Sequence, residues 1–246
     1  MRSLDKVDIE ADAVVLTCTR DPHFYGLTQR TINTLVNSSP DVRFNLVVVE
    51  SDREAHANGF LYPGCRVVEP AGDFNYNSYL RKGLEHCSSE AVIICNNDLI
   101  FLEGSAGKLV RTIVVDGFPS ASPFEPNYHP RAWPSNPDGN VEGHRVTNHI
   151  CGWCICASRE MLMDRDFFDE DFKFWHQDVD YACTLLKKGL RHVLVRDSLV
   201  RHEFGASHRL LGDRASEMTE GMHAVALSKW STGETDWMAI QEGVAK

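Results

Sequence analysis

The run Ala91-Val92-Ile93-Ile94-Cys95 contains no polar residue and stops at Asn96-Asn97-Asp98 before Leu99-Ile100-Phe101 resumes. Five apolar side chains in a row leave neither face for water, so the run predicts a strand covered on both sides, as inside a parallel sheet. The polar triplet then falls at the carboxyl end of that strand, where open α/β sheets bind ligands. One carboxylate beside two amides suits a hard divalent cation that shares its coordination with phosphate oxygens and water. The competing reading is a turn in which Asn and Asp bond their own backbone.

What surrounds Asp98 decides between them. With 246 residues, 43% of them hydrophobic, the chain can bury one large core or two small ones. A net charge of −10 argues against passive attachment to nucleic acid or to an anionic membrane, either of which needs a basic face. No stretch reaches the ~18 consecutive apolar residues of a membrane helix. Met1 to Lys6 lacks the apolar core of a secretory signal, so a cytoplasmic location is expected. The eight cysteines are too scattered for a disulfide scaffold, and Cys18, Cys95 and Cys183 sit in apolar patterns as small hydrophobes. Cys151-Gly152-Trp153-Cys154-Ile155-Cys156 lacks the second paired element of a zinc site and reads better as a half-buried strand with Cys154 and Cys156 on one face.

Along the chain, Ala13–Thr17 predicts a first buried strand, 27–36 a helix stopped by Asn37-Ser38-Ser39-Pro40, and Phe44–Val49 a second strand ending in Glu50-Ser51-Asp52. Strand, helix, strand is a βαβ unit, whose right-handed crossover makes the strands parallel. A short strand at 65–68 and a helix over 74–87 lead into the strand before Asp98. A helix at 105–115 and an extended piece at 118–122 follow. Residues 123–149, rich in Pro, Gly, Asn and His, predict a long flexible loop, of the kind that binds something or moves. After a strand at 150–157 and a short helix at 159–164 comes Phe168-Asp169-Glu170 through Phe174-Trp175-His176-Gln177-Asp178-Val179-Asp180. There Asp178 and Asp180 open a helix that runs to Lys188 and closes at Gly189. Two residues apart on a helix, the carboxylates diverge by about 200° and cannot act as a pair. One can serve the helix start while the other points into a site. A strand at 192–195 precedes Arg201-His202-Glu203-Phe204-Gly205-Ala206-Ser207, and the tail predicts an appended helix.

These segments together resemble the family 2 glycosyltransferases. The resemblance is carried by Phe74-Asn75-Tyr76, the Lys82-Gly83-Leu84 turn and Asp98, by the block from Phe168 through Gln177-Asp178-Val179-Asp180 to Gly189, and by His202 with Gly205 and Ser207 behind it. It implies a GT-A, Rossmann-like α/β fold with a mostly parallel central sheet flanked by helices, a transferase domain at 1–207 and a helical extension at 208–246. It also implies transfer of a hexosyl or pentosyl group, with inversion, from a nucleoside diphosphate donor to an acceptor hydroxyl. On this likeness Asp98 and His202 hold Mn²⁺ or Mg²⁺, Asp178 is the catalytic base, and Thr17, Arg20, Glu50, Asp52, Asn75, Asn77, Arg81 and Asn97 grip the donor, a UDP-sugar being favoured. Trp153, Trp175 and His176 are the expected acceptor contacts, since sugars lay apolar faces on aromatic rings; an ordinary core tryptophan is the rival. The chain departs from the family pattern at Asn96 and Gln177, where acids are usual, at Arg81, where Asn is usual, and at Thr184, where Arg is usual.

Two other classes fit parts of this pattern. A nucleotidyltransferase also uses a metal at a sheet edge, but Cys18-Thr19-Arg20-Asp21 is not the Gly-rich, Lys-bearing loop it would want. A protein that holds a nucleotide-sugar without turnover fits the missing acids. The acceptor stays open among glycan, polysaccharide, protein and modified nucleic-acid base, with net charge against the last.

Overall fold

The computed structural model of the chain describes residues 9–132, 138–203 and 214–231. Its core is a three-layer α/β arrangement around one large sheet. In chain order the elements are β1 (Ile9–Thr17), α1 (Pro22–Ser38), β2 (Val42–Glu50), β3 (Arg66–Val68), α2 (Tyr76–Leu84), β4 (Ala91–Asn96), β5 (Leu99–Phe101), α3 (Ser105–Val114), β6 (Ser120–Phe124), α4 (His129–Ala132), β7 (Val141–Glu142), β8 (Cys154–Ser158), α5 (Arg159–Leu162), α6 (Gln177–Lys187), β9 (Val193–His202) and α7 (Arg214–Trp230). The strands lie in the order β3-β2-β1-β4-β8-β6-β9-β5, with β7 against β9. From β3 to β4 all neighbours are parallel. Strand β8 then runs antiparallel to both β4 and β6, while β6 and β9 are parallel again.

Alternation along the buried strands feeds two cores, one on each face. Val14, Leu16, Val92, Ile94, Ile155 and Ala157 pack with Leu80 and Leu84 of α2, Val179 and Leu185 of α6 and Trp230 of α7. Ala13, Val15, Ile93, Cys95, Cys154 and Cys156 pack instead with Ile32 and Leu35 of α1 and Leu109 and Ile113 of α3. The predicted doubly covered strand is therefore present, and Cys154 and Cys156 do share one face. All eight cysteines are free. Gly83 marks where α2 presses hardest on the sheet: a Cβ there would come within 2.7 Å of Val14 and Val49.

Several boundaries differ from the sequence reading. Helix α1 begins at Pro22 rather than 27, because the Asp21 carboxylate accepts from His23 N and Phe24 N and proline sits in the first turn. The last strand runs on to His202, pairing first with β6 and then, past an irregularity at Pro123/Phe124, with β5. The described part of the expected flexible loop at 123–149 is tied down. Buried Glu125 accepts from Asn127 N and Tyr128 N, β7 pairs with β9, and the His192 ring bonds His149 O. Polar residues that looked like loop composition are there to satisfy backbone groups. Helix α7, read as an extension, buries Ala226 and Trp230 in the first core. Gly205 and Ser207 lie outside the described residues. Among the described residues no helix is long and apolar enough to cross a membrane.

Candidate active site

The carboxyl ends of β1, β2 and β4 are joined by a buried polar network. Thr17 and Thr28 hydroxyls lie 2.8 Å apart, and Asn97 Nδ2 donates to both, at 3.0 and 3.1 Å. Glu50, 2% exposed, accepts from Thr19 N at 3.0 Å and Asp52 N at 2.9 Å on one oxygen and from the Tyr62 hydroxyl at 3.2 Å on the other. Burial, chiefly, together with the Glu50 charge, pushes the Tyr62 hydroxyl up to about 12. Thr17, Asn97, Glu50 and the Asp52 backbone are thus gathered as expected, with these polar groups already bonded to one another. Arg20 is exposed beside them.

Asp98, next to this network, is used differently. It is 2% exposed, and its Oδ1 is a buried oxygen with no hydrogen bond of good geometry. The nearest partner is His202 Nε2 at 3.2 Å. The pairing of β5 with β9 sets Leu99 against His202, and Glu203 N donates to Asp98 O at 2.9 Å, so the sheet itself brings the two side chains together. The Trp153 ring stacks on the His202 ring, centroids 5.2 Å apart and 29° between planes. Trp153, expected on the acceptor side, therefore touches the expected metal ligand.

Trp153 O accepts from Asn96 N at 2.9 Å, because β8 is antiparallel to β4 and starts where β4 ends. The residue before it, Gly152, is the seat of Asp178: a Cβ on Gly152 would lie 2.9 Å from Asp178 Cβ and 3.0 Å from its Oδ2. Asp178 is in the first turn of α6, and its Oδ1 accepts from Val179 N at 2.9 Å. Oδ2 faces Gly152. Burial raises the Asp178 carboxyl above the ordinary range, against the lowering effect of the Val179 N–H and of its own backbone N–H. The helix is capped by His176, which has a left-handed backbone with φ 63° and makes no side-chain capping bond. One contact chain therefore runs Asp178, Gly152, Trp153, His202, Asp98. The Tyr76 hydroxyl feels both ends of it: burial first, and with it the Asp178 and Asp98 carboxylates, push it up.

The other expected residues divide. Asn75 caps α2 by accepting from Ser78 N and donates to Glu170 O, Asn77 donates to Asp169 O, and the Arg81 guanidinium donates to the carbonyls of Arg165, Phe167 and Phe168. These three side chains, expected at the donor, clasp α2 to the 165–170 segment. The length of the Arg81 side chain lets one guanidinium reach all three carbonyls. Trp175 packs edge-on against Phe174, and the His176 ring lies 5.7 Å from that of His223. Sequence reasoning missed Gly152; its signal was a glycine beside a tryptophan just ahead of a strand, a site of close approach. Two donors, Asp98 Oδ1 and His202 Nε2, fit a divalent cation that takes its other ligands from a diphosphate and water. Among the described residues no group of three or more His, Cys, Asp or Glu side chains could hold a metal ion.

No protein-family model matches this chain, and no curated protein matches it in sequence. Among solved structures it is similar in fold to GalNAc-T7 crystallised with UDP, GalNAc and Mn²⁺, with a TM-score of 0.60 and 11% identity. The match covers 80% of this chain and 44% of that one, so this chain spans less than half the length of GalNAc-T7. At this identity the likeness is one of fold: a mixed α/β architecture of the GT-A glycosyltransferase kind.

Proposed function

We propose that the chain is a metal-dependent, inverting glycosyltransferase of family 2 type, taking a sugar from a nucleoside diphosphate, UDP-sugar favoured, to an acceptor hydroxyl. The observation that carries this is the contact chain from Asp178 to Asp98. Two acids from distant parts of the sequence are joined by this chain of contacts, and one of them, Asp98, keeps a buried oxygen that no well-formed protein hydrogen bond satisfies.

The geometry supports a role for each residue in this reading. Val179 N–H fixes Asp178 Oδ1, so Oδ2 is the oxygen that receives the acceptor hydroxyl proton. Its raised pKa makes it a stronger base than an exposed aspartate, at the cost of a smaller ionised fraction in acid. Asp98 and His202 would hold Mn²⁺ or Mg²⁺, which when bound neutralises charge on the departing diphosphate. Trp153 fixes the His202 ring by stacking, and the Thr17–Asn97–Thr28 network fixes the strand end that carries Asp98.

Incubation with UDP-sugars and Mn²⁺ tests the reading. Release of UDP that an acceptor accelerates is the expected result. Pyrophosphate release would replace it with nucleotidyl transfer, and binding without products would replace it with a nucleotide-sugar sensor, which Asn96 and Gln177 favour.

A further inference from the structure

Helix α7 closes on the start of α6 through a buried acid. Asp180 is 1% exposed, and an ionised carboxylate at that depth has to be paired and hydrogen bonded. Both partners come from α7. Trp230 Nε1 donates to Asp180 Oδ1 at 2.9 Å, and Lys229 Nζ lies 2.8 Å from the same oxygen. Lys229 also reaches Asp169 Oδ2 at 2.7 Å and stands over the rings of Phe172 and Trp230. One ammonium thereby ties together three parts of the 169–180 block. Further up α7, Met222 Sδ accepts from Lys173 N at 3.2 Å and His223 meets His176. All of these contacts fall on the segment that presents Asp178. Within it His176 keeps a left-handed backbone, which a non-glycine residue holds only where its surroundings impose it.

We infer that Lys229 and Trp230 are positioning residues for Asp178: by pairing with Asp180 they fix the first turn of α6 and hold the Asp178 carboxylate on Gly152. This rests on the reading of Asp178 as the base. The mechanical link is short. Asp180 and Asp178 share one helical turn, so when Asp180 loses its cation and its N–H donor, the turn must shift to bring the acid to water or to another partner. That shift moves Asp178 off its seat.

The test compares Lys229→Met, Trp230→Phe and Lys229→Arg in the full chain. Hydrogen exchange at residues 177–180 is read without substrate, and turnover is read with a UDP-sugar and Mn²⁺. Lys229→Met and Trp230→Phe are expected to speed exchange in that turn and to lower kcat about 10- to 100-fold, as a base displaced by an ångström does. The donor KM should stay within about twofold, since donor contacts are untouched. Lys229→Arg should restore both. Unchanged exchange overturns the inference, as does a joint loss of kcat and donor affinity with exchange raised throughout the chain. If Lys229→Met does not fold, Trp230→Phe, which keeps an aromatic ring, decides alone. If the unmodified protein transfers no sugar, the base assignment fails, while exchange at 177–180 still supports or overturns the clamp.

Discussion

The floor of the sheet edge, from Thr17 to Tyr62, and its far side, from Asp98 to Asp178, are built from similar polar residues and differ in how those residues are used. On the floor, Thr17, Thr28, Asn97, Glu50 and Tyr62 bond one another. On the far side, Asp98 Oδ1 is buried without a hydrogen bond, 3.2 Å from His202 Nε2, and Asp178 Oδ2 faces the bare Cα of Gly152. A buried polar group left unpaired costs about 1–3 kcal/mol. The comparison therefore separates a frame, whose polar atoms bond one another, from a side on which Asp98 keeps a buried oxygen without such a bond, the place the proposed function gives to a ligand.

The largest effect that could break this division is at Asp178. Asp178→Asn keeps the shape and the Val179 contact but removes the proton acceptor, so transfer should fall by about 10²- to 10⁴-fold with donor binding intact in a thermal-shift assay. Retained turnover would put Asp178 with the frame. Next is Asp98→Ala, which should abolish the response of donor binding to Mn²⁺; an unchanged titration would refute the cation role. Gly152→Ala should come third. Its methyl has to displace the Asp178 carboxylate, so kcat should drop while the melting temperature moves little, and the opposite pattern would make Gly152 merely structural. On the floor, Thr28→Val removes a hydroxyl that both Thr17 and Asn97 use, and should cost about 1–3 kcal/mol in denaturant unfolding with only a modest loss of turnover. A loss of activity as large as that of Asp178→Asn would erase the distinction.

The smallest expected effects are in pH. Because burial raises the Asp178 pKa, the acid limb of kcat should lie above that of an ordinary aspartate, and an acid limb at the ordinary position would contradict an enclosed base. Stability has its own window. Burial lowers His129 and His149 to about 4 and His192 to about 3, so each binds its proton more readily in the unfolded chain. Their stabilisation is complete above the unfolded value of about 6.5 and is lost as pH falls toward 4. Melting temperature should accordingly decline between pH 7 and pH 4, and a flat profile would show that these imidazoles are not buried in the neutral form.

Much of this was legible from patterns of single elements. The unbroken run before Asp98 announced the central strand, and the acids and Gly189 around 178–189 announced α6. Pairings between remote segments were not legible. Nothing local tells that Leu99 lies against His202, or that Trp153 stacks on that histidine, since both follow from strand register. Arg81 and Asn77 were expected at the donor from the family resemblance alone; in the structure three carbonyls of the 165–170 segment accept from the guanidinium and another accepts from the amide. The start of α1 was placed at 27, although Asp21-Pro22, an acid before a proline, is a helix-start signal. The tail's helix was visible, but its burial was not, because Ala226 and Trp230 acquire meaning only beside Asp180 and the first core.

The reversed direction of β8 has an architectural consequence. In a uniformly parallel sheet every backbone segment at the working rim is on its way out of a strand, so changing its length disturbs the helix that follows. Here the rim also receives a segment on its way in, arriving at Gly152 and Trp153 from the 125–150 excursion. The segment that delivers Gly152 is itself anchored, by β7 on β9 and by the His192 ring on His149 O, so the backbone under Asp178 is braced from the incoming side as well as from α6.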